Sequence, residues 1–250
     1  MKFRFILLVS TLLIFSECAA YGQTSRAEVE AKELVSEITS RMPVKNEEIY
    51  GLLRRRDASG KRTELPFKYS VLVGRDYWID RYEARDAQGN PLELLEIRKS
   101  PGGTNLYAYR STNQTQGVRL EQSDVNVPFA GSDFWLSDLG LEFFYWPGQK
   151  VVKREMRKGR ACTVVESVNP SESNGGYGRV LSWLDKETGG LVRAEGYDRQ
   201  DKLLKEFSIK SFKKVAGVWQ LKEIEIRNEE TDSRTRIEYQ FDLPSTKEKE

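Results

Sequence analysis

The chain has 250 residues, 40 of them Lys or Arg and 38 Asp or Glu, for a net charge of +2, and it contains no histidine. Near-neutrality excludes a whole-molecule field that would draw it to nucleic acid. The missing imidazole excludes Ser-His-Asp and Cys-His catalysis and removes the commonest metal ligand.

The N-terminus has the three parts of an export signal. Lys2 and Arg4 supply the positive start, Phe5 to Phe15 an apolar run broken only by Ser10 and Thr11, and Ala19, Ala20 and Gly22 the small residues of a cleavage site. The run is shorter than the roughly 20 residues of a membrane-spanning helix. Residues 1–22 therefore read as a cleavable signal peptide, with cleavage after Gly22 or after Ala20. Glu17, directly before Cys18, argues against lipidation of that cysteine. The expected mature chain of 228 residues (250 minus 22) keeps one cysteine, Cys162, and so no intrachain disulfide. No later stretch approaches spanning length, which points to a released protein rather than an integral membrane one.

Residues 26–42 read as an amphipathic helix. Ser25 and Glu28 form a capping box, and Ala27, Ala31, Leu34, Val35, Ile38 and Met42 share one face before Pro43 stops the run. From about residue 46 the period changes to two. Strand candidates are Leu65 to Val73, 92–99, 106–110 and 117–121. Residues 122–148 crowd together Val125, Phe129, Phe134, Trp135, Leu139, Phe143, Phe144, Tyr145 and Trp146, around a short helix expected to be capped by Ser132 or Asp133.

A meander follows, with candidates at 149–157, 160–168, 178–185, 191–198, 203–212, 218–228 and 233–242, separated by turn residues. Thr235, Ile237, Tyr239 and Phe241 alternate with charged or polar neighbours, and Lys205, Phe207, Ile209 and Ser211 oppose Glu206, Ser208 and Lys210. One wet and one dry face mark an antiparallel sheet. The pattern predicts a mainly β (α+β) protein: about eleven strands in one strongly curved antiparallel sheet, with helices covering the concave face. Residues 23–245 form a single domain in this reading, and 246–250 a charged tail.

Chemistry-bearing groups are few. Cys162 lies in an alternating strand and reads as a core thiol. Asp198 with Asp201, and Asp185 with Glu187, flank turns; Glu223 and Glu225 share a strand face that reads as solvated. Arg54-Arg55-Arg56 is the densest basic run and reads as a solvated strand end. Asn113-Gln114-Thr115 matches a glycosylation acceptor. No phosphate loop, dinucleotide fingerprint or metal-binding cysteine spacing occurs. No cofactor, metal or catalytic residue is expected. The aromatic insertion is the positive signal. It fits a plain core, and it equally fits the lining of an apolar cavity under a curved sheet, where each buried CH₂ of an acyl chain gains about 0.8 kcal/mol.

Gly131-Ser132-Asp133-Phe134 followed by Asp138-Leu139 resembles the "GSDF…DL" signature of the outer-membrane lipoprotein-sorting protein family, which is LolA-like. Trp183-Leu184-Asp185-Lys186-Glu187-Thr188, Tyr197-Asp198 with Lys202-Leu203, and Gly217-Val218-Trp219 extend the resemblance, which covers most of residues 26–242. Asp201 stands where the hairpin glycine is usual, and Gln220-Leu221 replaces the usual proline.

The resemblance implies a half-barrel of about eleven strands closed by helices over a hydrophobic cavity, and no enzyme activity. It implies a periplasmic carrier or chaperone for lipid or lipoprotein acyl chains, with handover proteins at the inner and outer membranes. The expected cavity residues are Phe129, Phe134, Trp135, Leu139, Phe143, Phe144 and Trp146. The alternative is a peptide-binding or envelope-stress sensor module that uses the same groove.

Overall fold

The computed structural model describes residues 24–241 apart from 113, 115, 172–175 and 216. The expected signal peptide, Cys18, the ends of the Asn113-Gln114-Thr115 triplet and the charged tail lie outside the described residues.

The first element is helix α1 (Arg26–Thr39). Its capping box forms as expected: Ser25 Oγ accepts from Glu28 N at 3.3 Å and Glu28 Oε2 accepts from Ser25 N at 2.7 Å. Thirteen strands follow. They are β1 (Glu47–Arg56), β2 (Arg62–Val73), β3 (Trp78–Arg85), β4 (Pro91–Lys99), β5 (Leu106–Arg110), β6 (Val118–Leu120), β7 (Gly148–Arg157), β8 (Arg160–Val168), β9 (Arg179–Asp185), β10 (Leu191–Tyr197), β11 (Leu203–Val215), β12 (Val218–Asn228) and β13 (Ser233–Gln240). All belong to one open sheet in the order β6-β5-β4-β3-β2-β1-β13-β12-β11-β10-β9-β8-β7. Every neighbouring pair is antiparallel. Closing the β1–β13 pair joins two meanders, so chain-distant strands lie side by side at the middle of the sheet.

The expectation of about eleven strands is corrected to thirteen. The two additions are β1 and β3, where charged residues interrupt the apolar alternation. In β3 the buried row is Trp78, Asp80, Tyr82 and Ala84. Asp80 is carried inward because Lys99 Nζ, 2.8 Å away, and Tyr69 OH, at 3.0 Å, satisfy its carboxylate.

Cross-strand register defines a single apolar face. Tyr109, Leu95, Tyr82, Tyr69 and Ile49 form one row across β5 to β1. Leu53, Ile237, Ile224 and Ile209 form another. Ile226, Phe207, Ala194, Ser182, Val165 and Val151 carry the same face to β7. The opposite face is ionic, apart from a small patch of Cys162, Val164 and Trp183. There Arg193 bridges Glu195 and Glu206, and Arg236 bridges Glu223 and Glu225, so that glutamate pair is paired with arginine rather than merely solvated.

Two segments pack against the apolar face. Helix α1 buries Ala31 and Val35 against Val165, Val180 and Leu184, and Glu30 holds Arg154 of β7 at 2.5 Å. The β6–β7 connection places Phe129, Phe134, Leu136 and Leu139 against the β1–β5 and β12–β13 part of the sheet. Among the described residues no helix is long and apolar enough to cross a membrane.

Candidate functional site

The insertion is held by polar anchors. Ala130 and Gly131 have φ of +50° and +64°, which turns the chain between Phe129 and Phe134, where Phe129 N donates to Phe134 O at 2.8 Å. Ala130 N donates to Glu93 Oε2 at 2.6 Å. Asp133 is buried and accepts from the hydroxyls of Ser233 and Thr235 on β13, the latter at 2.7 Å.

These bonds explain why neither Ser132 nor Asp133 caps the next helix. Asp133 is spent on β13, and Ser132 Oγ accepts from Phe134 N at 3.1 Å. The N-cap of α2 (Leu136–Gly140) is Trp135, whose N–H is satisfied by Asp138 Oδ2 at 2.8 Å. A 3₁₀ turn over Glu142–Tyr145 follows, after Leu141 in the left-handed conformation.

Asp138 also ties the insertion to the sheet. Its Oδ1 accepts from Tyr177 OH at 2.8 Å, and Lys205 Nζ of β11 lies 3.2 Å from its Oδ2. Lys205 additionally donates to Asp133 O at 2.8 Å and lies 3.4 Å from the Trp135 ring centroid. Burial pushes the Lys205 ammonium below its ordinary value, and Asp138 opposes that shift. Burial likewise holds the Tyr177 phenol well above its ordinary range. The two aspartates of the GSDF…DL motif are thus the fastenings of the insertion.

Between the insertion and the sheet lies a cavity of about 290 Å³. Tyr69, Tyr82, Ile224 and Tyr239 line it from the sheet, and Phe134, Leu139 and Leu141 from the insertion. Ile49, Phe207, Leu221 and Phe241 complete the apolar wall, with Glu47, Asp138 and Gln220 as polar lining residues. Tyr69 packs between Tyr82 and Tyr239 at centroid distances of 5.0 and 6.2 Å. Its hydroxyl is taken by Asp80, and that of Tyr82 by Leu139 O at 3.2 Å, so both rings present carbon to the cavity.

A second cavity of about 310 Å³ lies under Phe143, Tyr145 and Trp146 and is more polar, with Asn126, Ser137, Glu142 and Asn169 in its wall. Between the two is a gap of about 20 Å³ beside Lys205, bordered by Asp138, Leu141, Phe143, Tyr177 and Phe207. That space holds one water at most, so the Lys205–Asp138–Tyr177 bridge partitions the interior.

The expected site residues divide accordingly. Phe134 and Leu139 line the first cavity; Phe143 and Trp146 line the second. Phe129, Trp135 and Phe144 line neither: Phe129 belongs to the first core cluster, and Phe144 and Trp135 to the cluster around α1. Sequence reasoning did not assign Tyr69, Tyr82, Leu221, Ile224, Tyr239 or Phe241 to the site. The alternation that put Tyr239 and Phe241 on a dry face was the available signal. Among the described residues no group of three or more His, Cys, Asp or Glu side chains could hold a metal ion. Cys162 is buried, and burial pushes its thiol up.

The β11–β12 hairpin continues beyond its neighbours. Pairing with β10 ends at Ser208 and pairing with β13 at Glu223, whereas β11 and β12 pair onward to Val215 and Val218. This extension carries Trp219, 68% exposed, beside the cavity-lining Gln220 and Leu221.

The matching family model, over residues 82–243, is described as that of an uncharacterized-protein-like family, and the chain belongs to that family. No curated protein matches the chain. Among solved structures, a DUF1329 family protein from Desulfovibrio piger superposes with a TM-score of 0.70 at 17% identity, over 89% of this chain and 96% of that one. An outer membrane lipoprotein-sorting protein domain from Vibrio parahaemolyticus gives 0.70 at 18% identity, over 86% and 94%. A LolA superfamily protein from Nitrosomonas europaea gives 0.58 at 16%, over 88% and 96%. The LolA-like recognition made from the motifs holds at the level of the fold.

Proposed function

We propose that the chain is a periplasmic carrier that holds an acyl chain of a lipid or lipoprotein between the insertion and the apolar sheet face. The observation that carries this reading is the cavity of about 290 Å³ walled by Tyr69, Tyr82, Ile224, Tyr239, Phe134 and Leu139. Its volume is at the lower end of the roughly 300–1,000 Å³ of small-molecule sites, which suits a segment of an acyl chain rather than a whole lipid. Each CH₂ withdrawn from water contributes about 0.8 kcal/mol. The exposed Trp219 beside the cavity offers a rim on which the rest of the chain can lie. Phe134 and Leu139 touch the ligand in this reading; Phe129, Trp135, Phe143, Phe144 and Trp146 fix the shape of the insertion around it.

Similarity of fold to a lipoprotein-sorting domain and to a LolA superfamily protein supports a carrier role. Export by the signal peptide at residues 1–22 delivers the protein to the periplasm, where proteins at the inner and outer membranes load and unload it. The mature domain, residues 23–245, performs no catalysis and needs no cofactor. The test is mass spectrometry of material extracted from the protein purified from exporting cells. Acylated species at near-stoichiometric amounts are expected. Peptide without any acylated species would replace the reading with the peptide-binding alternative.

A further inference from the structure

The ionic face carries four arginines in one cross-strand row. Arg56 of β1 is directly opposite Arg62 of β2 on one side and Arg234 of β13 on the other, and Arg234 is opposite Arg227 of β12. Like charges directly opposite one another destabilise a sheet. Two residues along the strands the charges are balanced: Arg54 is paired with Glu64 and Glu238, and Arg236 with Glu223 and Glu225. In the arginine row only Arg227 is paired, to Glu229 and Asp232. Among the described residues Arg56, Arg62 and Arg234 form no ion pair.

These three line a depression of about 400 Å³ together with Arg54, Arg55 and Arg236. Its one acidic lining residue, Glu64, is held by Arg54 at 2.7 Å. The carboxylates that share an adjoining depression with Arg56 and Arg234 are occupied: Asp57 accepts from Ser59 Oγ and Lys61 N, Asp232 is paired with Arg227, Glu206 with Arg193 and Glu225 with Arg236. The triplet Arg54-Arg55-Arg56, a strand end by sequence, is one edge of a basket completed by residues far along the chain.

We propose that this arginine basket is a binding site for a phosphate-bearing anion, either free phosphate or the phosphodiester of a lipid headgroup. Guanidinium groups present planar, bidentate donors matched to phosphate oxygens. A bound anion would offset the repulsion that the register imposes.

The test uses the mature protein at fixed ionic strength. Calorimetric titration with inorganic phosphate is run beside co-sedimentation with phosphatidylglycerol and with phosphatidylcholine vesicles. Binding of inorganic phosphate supports the site and identifies a free anion as sufficient; binding of phosphatidylglycerol vesicles alone supports it and identifies the headgroup. The variant Arg56→Gln/Arg234→Gln weakens the binding roughly a hundredfold, two charge-assisted contacts being lost. Arg81→Gln, which removes an arginine paired with Glu96 on the same face, leaves it unchanged. Without ligand the double variant melts at or above the wild-type temperature. Absence of binding to both inorganic phosphate and phosphatidylglycerol vesicles, binding unaltered by the double variant, or a lower melting temperature of that variant without ligand would overturn the proposal.

Discussion

Lys205 Nζ lies 3.2 Å from Asp138 Oδ2, and the side chains of the pair are only 3% and 8% exposed. The pair joins β11 to the insertion, so it holds the lid of the cavity to its floor. Removing one partner of a buried ion pair leaves an uncompensated charge and costs about 3–5 kcal/mol. Lys205→Met is expected to lose that amount in urea unfolding. Lys205→Met combined with Asp138→Asn should recover most of it, because no charge is then left unpaired. Additive losses would show that the two residues act independently.

Glu142 gives a pH dependence of defined sign. Burial raises its carboxyl above the ordinary value of 4.5, and hydrogen bonds from Tyr107 OH and Asn105 Nδ2 offset part of that. The folded state therefore holds this proton more tightly than the unfolded chain does. Its contribution to stability is full below pH 4.5 and is lost as pH rises through the folded-state value. Glu142→Gln removes the titration. The unfolding free energy of the variant relative to wild type should rise as pH increases from 4.5 and then level off. A difference that does not vary with pH would contradict the assignment.

Gly140 is required by a close approach rather than by its backbone angle. A Cβ built there would lie 2.0 Å from the Tyr107 hydroxyl, which bonds Glu142 at 2.7 Å. Gly140→Ala must displace that phenol from a buried network, an overpacking cost of roughly 1–3 kcal/mol. Combining it with Tyr107→Phe, which withdraws the clashing oxygen, should return part of the loss. Equal melting temperatures for Gly140→Ala and wild type would refute the contact.

Much of the fold is legible in the sequence because most strands keep a strict two-residue alternation and the turns carry their expected residues. Asp198 accepts from Gln200 N and Lys202 N as a turn aspartate should, and Asp201, in the place of the usual glycine, adopts φ of +62°. β1 was obscured because Arg54, Arg55 and Arg56 cancel the alternation, and because Gly51 leaves a gap in the apolar row. A Cβ at Gly51 would meet Glu238 O at 2.3 Å, so the central β1–β13 contact itself demands the glycine. β3 was obscured by Asp80.

The candidate site was half legible. The aromatic content of residues 122–148 marks the insertion, yet composition cannot tell which rings face the sheet core and which face a cavity. The sheet side of the wall comes from Tyr69, Tyr82, Ile224 and Tyr239, which only the strand order brings together. The same order turns an arginine triplet into a basket, since Arg62, Arg234 and Arg236 join it through register alone.

The central claim, that the cavity beneath the insertion receives an acyl chain, is tested most directly by titrating a fluorescent fatty acid into the delipidated mature protein and into its Leu221→Trp variant. Leu221 is a half-buried wall residue, so a larger ring there fills the cavity with little disturbance of the core. Saturable binding to the wild type, weakened at least about tenfold in the variant by loss of two or more buried CH₂ groups, is the predicted result. No saturable uptake by the wild type, or equal affinity in the two proteins at equal stability, would contradict the account.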